Sequence, residues 1–201
     1  MSIEQIEGFR ISPQQRRAWQ SERNEQVSFC TVLIEGKIEI AALEKALSSV
    51  VLRHEILRTS FHTIAGVNKP LQRIDEEVSP SIDHYDLSDL RDELQKQQIE
   101  SLVEKEVDFG AHLTAQVATL SPVRHILILK FSALCVDEPS FEIIVKELGL
   151  FYDSNIELES PLQYADAAAI LNDFVESEET LAGRAFWQRT APFIQSRTPF
   201  E

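Results

Sequence analysis

Apolar and polar positions change their spacing several times along the chain, and each change marks a different element. Between Val27 and Glu35 the run VSFCTVLIE is dense in β-branched and aromatic residues and stops at Gly36, which predicts a strand followed by a turn. From Ile40 the spacing becomes helical. Ile40, Leu43, Leu47, Val50, His54, Leu57 and Phe61 recur three and four apart, predicting one continuous amphipathic helix. Short extended segments are expected over 69–74 and 81–85, then a charged helix over 88–107 whose Leu90, Leu94, Leu102 and Val103 would face the core. Segments 113–120 and 124–131 flank Ser121-Pro122-Val123 and read as the strands of a hairpin. From Pro139 a helix carries Phe141, Ile144, Val145, Leu148 and Tyr152 on one side, and two further helices are expected over 161–176 and 178–190. Ser12-Pro13-Gln14-Gln15 has the form of a helix start, with a capping serine, proline at the first helical position and a glutamine placed to bond back; Ser160-Pro161-Leu162-Gln163 repeats it. The sum is a mixed α/β domain with about five strands.

Composition narrows the classes of function. The 201 residues are 43% hydrophobic and 26% charged, enough for one globular domain with a sizeable core. Acidic residues outnumber basic ones 33 to 19, a formal net charge of -14, so the basic footprint of a nucleic-acid or anionic-membrane binder is missing. The two cysteines, Cys30 and Cys135, have neither metal-ligand spacing nor a disulfide framework. The opening MSIEQIEGFR lacks the apolar stretch of a signal peptide and no segment approaches a membrane span, so a soluble, cytoplasmic protein is expected.

Candidate chemistry concentrates in ILILKFSALCVDEPSFEIIVKEL, a strand that hands over to a helix through a short loop. Such junctions aim side chains from a rigid element toward free helix N–H groups. The loop offers Ser132, Cys135, Asp137 and Glu138 but no histidine, so no Ser-His-Asp or Cys-His arrangement is readable there. Cys135 lies between Leu134 and Val136 and reads as a buried small hydrophobe. His125 precedes Ala133 by a strand length, roughly 26 Å at about 3.3 Å per residue, beyond reach. His54 sits inside the helical stripe, where a core histidine bonded to the backbone competes with a direct chemical role.

Two passages carry a resemblance: SPQQRRAWQ, and Arg53 to Phe61, which reads RHEILRTSF and resembles the RHExLRTxF motif of condensation domains from nonribosomal peptide synthetases. VDFGAHLTAQVATL and SPLQYADAAAILNDFVESEETLAGRAFWQ are similar to further passages of that family. The resemblance implies a chloramphenicol-acetyltransferase-like lobe, a mixed sheet of about five strands flanked by helices. It also implies that 1–201 is a single domain equivalent to the N-terminal lobe, with the C-terminal lobe absent from this chain. The family's HHxxxDG motif falls on the loop, where Ser132 and Ala133 replace the histidines, Asp137 remains and Glu138 replaces the glycine. Ala133 can neither accept nor donate a proton.

The resemblance further implies an Arg58–Asp137 ion pair retained for folding, against the plainer reading of Asp137 as a helix cap, and a supporting role for His54. It implies no directly bound cofactor, and partners among carrier domains bearing phosphopantetheine, neighbouring synthetase modules or a recruited tailoring enzyme. The expectation is a degenerate, non-catalytic condensation-like domain of a peptide or hybrid polyketide-peptide assembly line. The alternative is an acyltransferase that joins carrier-bound thioesters by positioning alone. A basic patch of Arg16, Arg17 and Arg23 would offset repulsion between acidic partners.

Overall fold

The computed structural model describes residues 8–20, 27–63, 70–105, 107, 112–154 and 156–194. In chain order the elements are β1 (Phe9–Arg10), α1 (Pro13–Gln20), β2 (Val27–Glu35), α2 (Ile40–Arg53), β3 (Thr59–His62), β4 (Leu71–Ile74), β5 (Ile82–Asp86), α3 (Asp92–Glu104), β6 (Leu113–Ser121), β7 (Arg124–Ser132), α4 (Glu138–Asp153), α5 (Tyr164–Glu176) and α6 (Leu181–Ile194). The fold is mixed α/β, as expected, but the strands form two sheets instead of one. A four-stranded sheet runs β2-β7-β6-β5 and a three-stranded sheet runs β1-β4-β3. Among the described residues, no helix is long and apolar enough to cross a membrane.

β7 is the axis of the larger sheet, antiparallel to β2 on one side and β6 on the other. Side chains alternate between faces of a strand, so its ILILKF run feeds two cores. Leu127, Leu129 and Phe131 join Leu43, Leu47, Val50, Val51, Phe141, Ile144 and Leu148 of α2 and α4. Ile126 and Ile128 face the other way, toward Leu87, Leu102 and Ala118 under α3. α3 is the crossover that lets β5 lie parallel to β6. Gly36 closes the turn after β2 at φ 113, a left-handed conformation that glycine adopts without strain, and its N–H bonds Val123 O at 2.9 Å.

Lys130 follows the second set of β7 side chains and is 2% exposed. Its ammonium donates to Leu102 O and Lys105 O, both at 2.7 Å, at the C-terminal end of α3. The carbonyls a helix leaves unpaired at that end, and its negative dipole, compensate the buried charge. Desolvation, with Lys105 nearby, lowers the lysine's pKa.

The helical stripe from Ile40 does not run to Phe61. α2 ends at Arg53, His54 is extended at φ -109 and ψ 100, Glu55–Arg58 forms a short 3-10 turn, and Thr59–His62 becomes β3. Pairing of Thr59 to His62 with Ile74 to Leu71 of β4 overrides the helical spacing. α3 is shorter than its charge pattern suggests; Leu102 is buried, whereas Leu90 and Leu94 are exposed.

Candidate functional site

The loop between β7 and α4 is wound tightly on Ser132. Cys135 N and Val136 N bond Ser132 O at 2.9 and 3.2 Å, and Leu134 N bonds Ser132 Oγ at 3.2 Å. The Ser132 hydroxyl is therefore engaged by its own turn. Asp137 is the N-cap of α4, its Oδ1 accepting from Ser140 N at 3.1 Å and from the Ser140 hydroxyl. Glu138 is the first residue of the helix and is exposed.

The expected Arg58–Asp137 ion pair is not formed. Arg58 donates from Nη1 to Asp75 O at 2.7 Å and its Nη2 lies 3.4 Å from Glu55 Oε1. The 3-10 turn that follows α2 aims Arg58 at the end of β4, while the exposed Asp137 turns its Oδ1 to the first turn of α4.

His54 is also held elsewhere, and by a carboxylate instead of the backbone. Its Nε2 lies 2.7 Å from Glu147 Oε2, whose other oxygen accepts from Arg53 Nε at 3.2 Å. Glu147 is nine residues beyond Glu138 on α4, about 13 Å along the helix axis at ~1.5 Å per residue. The imidazole thus braces α2 against α4 far from the loop. His125 is buried, with Nδ1 3.0 Å from Thr119 Oγ1. Burial pushes the Cys135 thiol up to about 12, and its Sγ is 3.8 Å from Thr59 O, so it is no ready nucleophile. Burial likewise raises Cys30, partly offset by a backbone bond with Leu129.

The groups that organise the loop come from residues whose sequence reads only as helix starts. Gln15 Nε2 donates to Leu134 O at 3.0 Å, and the Ser12 hydroxyl lies 2.8 Å from Tyr164 Oη. Burial raises the Tyr164 pKa against the pull of the Ser12 bond, with Asp137 and Cys135 adding to the rise. The second predicted capping box, at Ser160, is not made. Gln163 instead spans the RHE segment, its Oε1 accepting from Glu55 N and its Nε2 donating to Arg53 O, each at 3.0 Å. A second polar centre, unremarked in the sequence, gathers on Asp75, which pairs with Arg73 at 2.7 Å and His112 at 3.0 Å and accepts from Ser60 at 3.2 Å.

The sequence matches the condensation-domain family over residues 6–195. It is 34% identical over 161 residues to gramicidin S synthase 2 of Aneurinibacillus migulanus, covering 78% of this chain and 3% of that protein. The fold is similar to the condensation domain of the monacolin K polyketide synthase MokA, with TM-score 0.76 and 22% identity over 90% of this chain and 42% of that one. It is also similar to the X-domain in its complex with OxyB from teicoplanin biosynthesis, with TM-score 0.68 and 23% identity over 87% of this chain and 41% of that one. The chain thus spans a small part of the synthetase and under half of each solved relative. Its motifs, its fold and its match over most of its length make it a member of the condensation-domain family.

Proposed function

We propose that this chain is the N-terminal lobe of a degenerate condensation domain that docks carrier domains or recruits a partner within a peptide or hybrid polyketide-peptide assembly line, without forming amide bonds itself. Ala133 carries this reading. It occupies the position at which the family motif places its second histidine, and among the described residues the candidates the sequence offers are engaged otherwise: Ser132 is bonded into its own turn, Cys135 is desolvated and His54 is bound to Glu147. Asp137 remains as a helix cap, which explains its presence without catalysis.

Phosphopantetheine would arrive on the carrier, and docking would be weak and reversible because a carrier must leave for its next station. The net charge of -14 opposes encounter with an acidic carrier. Of the expected basic patch, Arg17 is exposed, Arg16 is drawn to Asn172 Oδ1 at 3.0 Å, and Arg23 lies outside the described residues. The test is an NMR titration of acyl-loaded cognate carrier at two salt concentrations, with thioester loss followed in parallel. Reversible shifts without turnover support the proposal. Thioester consumption that depends on this protein supports the alternative acyltransferase, and absence of binding to any cognate carrier favours an interaction module unrelated to carrier proteins.

A further inference from the structure

We infer that Gln15 is the positioning residue of the loop between β7 and α4, latching its main chain at Leu134 with the same side chain that caps α1. Oε1 accepts from Ser12 N at 2.9 Å and Nε2 donates to Leu134 O at 3.0 Å, so both ends of one amide are used. The helix-capping half of this work is done equally well by glutamate. An ionised glutamate is acceptor-only, whereas the amide can also donate to a carbonyl. The loop bond, and not the cap, therefore dictates glutamine at this position.

The latch has a firm base. Gln15 is 3% exposed, and its own N–H donates to the Ser12 hydroxyl at 3.0 Å. Ser12 reaches Tyr164 of α5, and Asn172 of α5 donates to Ile11 O at 3.0 Å. The residues just before α1 are thus fixed to α5 on one side, while Gln15 in the first turn of α1 grips the loop on the other. Leu134 is itself buried, so losing the amide would leave its carbonyl without ready access to water. This inference stands whether or not the lobe docks carriers.

Gln15→Glu separates the two roles, because it keeps the acceptor for Ser12 N and sets an oxygen against Leu134 O. Cys135 reports on the loop. In a Cys30→Ser background it is the sole remaining cysteine, and its alkylation by iodoacetamide in the 201-residue protein measures opening. Gln15→Glu is expected to raise the alkylation rate at least about tenfold, the factor implied by loss of one buried hydrogen bond. Leu102→Ala, which loosens the core beneath α3, is expected to leave the rate within about twofold once matched for stability by denaturant. An unchanged rate in Gln15→Glu, or equal acceleration in both variants, overturns the inference. Should Gln15→Glu not fold, the unsubstituted protein decides: its Gln15 side-chain amide protons are expected to exchange with solvent at least about tenfold more slowly than those of the exposed Gln14, and equal exchange overturns the latch.

Discussion

Asp137 holds the first turn of α4 through Ser140, and Arg58 holds the end of β4 through the Asp75 carbonyl. The two share no partner, so Asp137→Ala is expected to cost about 1 kcal/mol as a lost cap and Arg58→Ala about 1 to 3 kcal/mol as a lost buried donor. The double variant is expected to equal their sum within about 0.5 kcal/mol in urea unfolding. A marked shortfall would show that the two charges do interact. Asp75 gives a pH signature. Burial pushes its carboxyl up, yet bonding and charge from Arg73, then His112 and Ser60, leave its pKa lowered. A depressed folded pKa contributes stability that is present above the unfolded value of about 3.9 and is lost as pH falls through the folded one. Asp75→Asn is therefore expected to lower the urea midpoint at neutral pH and to have a smaller effect near pH 2. The identities of Asp137 and Arg58 were legible in the sequence, but their partners were not, because a side chain's reach depends on where the backbone turns. The break at His54 redirected Arg58.

At the scale of elements, β2, β6 and β7 could be read to within a residue because their apolar runs end at Gly36, at Ser121-Pro122-Val123 and at the polar loop. The helical spacing overruns α2 for a definite reason: Leu57 is buried in the 3-10 turn and continues that spacing, while β3 is specified by pairing with the next strand, β4, a contact the spacing does not register. Gln15 and Gln163 were visible as helix starts, but their second hydrogen bonds cross to other elements and leave no local pattern. Lys130 was likewise hidden, a charge within the apolar run of β7 whose acceptors lie at the C-terminal end of α3 and on its C-cap. Lys130→Met keeps most of the volume and removes the donor, leaving the buried Leu102 carbonyl, and the less buried Lys105 carbonyl, without it. The expected loss is roughly 2 to 4 kcal/mol in denaturant unfolding, with early loss of amide protection at the C-terminal end of α3. Unchanged stability would mean that those carbonyls find other donors.

Across the whole molecule, burial is uneven. The central strands β6 and β7 of the larger sheet are packed on both faces, but Phe29 and Leu33 of β2 are exposed, α6 is exposed from Leu181 to Arg189, and Phe186 and Trp187 stand 52% and 60% exposed with their rings edge-on at 5.4 Å. Ile170 and Phe174 of α5 are exposed as well. A helix gains most of its stability from packing an apolar face, and apolar surface left in water promotes association. Trp187 therefore contributes little to the stability of this lobe but much to its stickiness. Trp187→Ser is expected to change the unfolding free energy by less than about 0.5 kcal/mol and to reduce concentration-dependent self-association in sedimentation velocity. The net charge of -14 opposes association at low ionic strength, so the difference between the two proteins should widen as salt screens that repulsion. A large loss of stability would show that α6 is packed into the lobe in solution, and equal self-association at every salt concentration would place the sticky surface elsewhere.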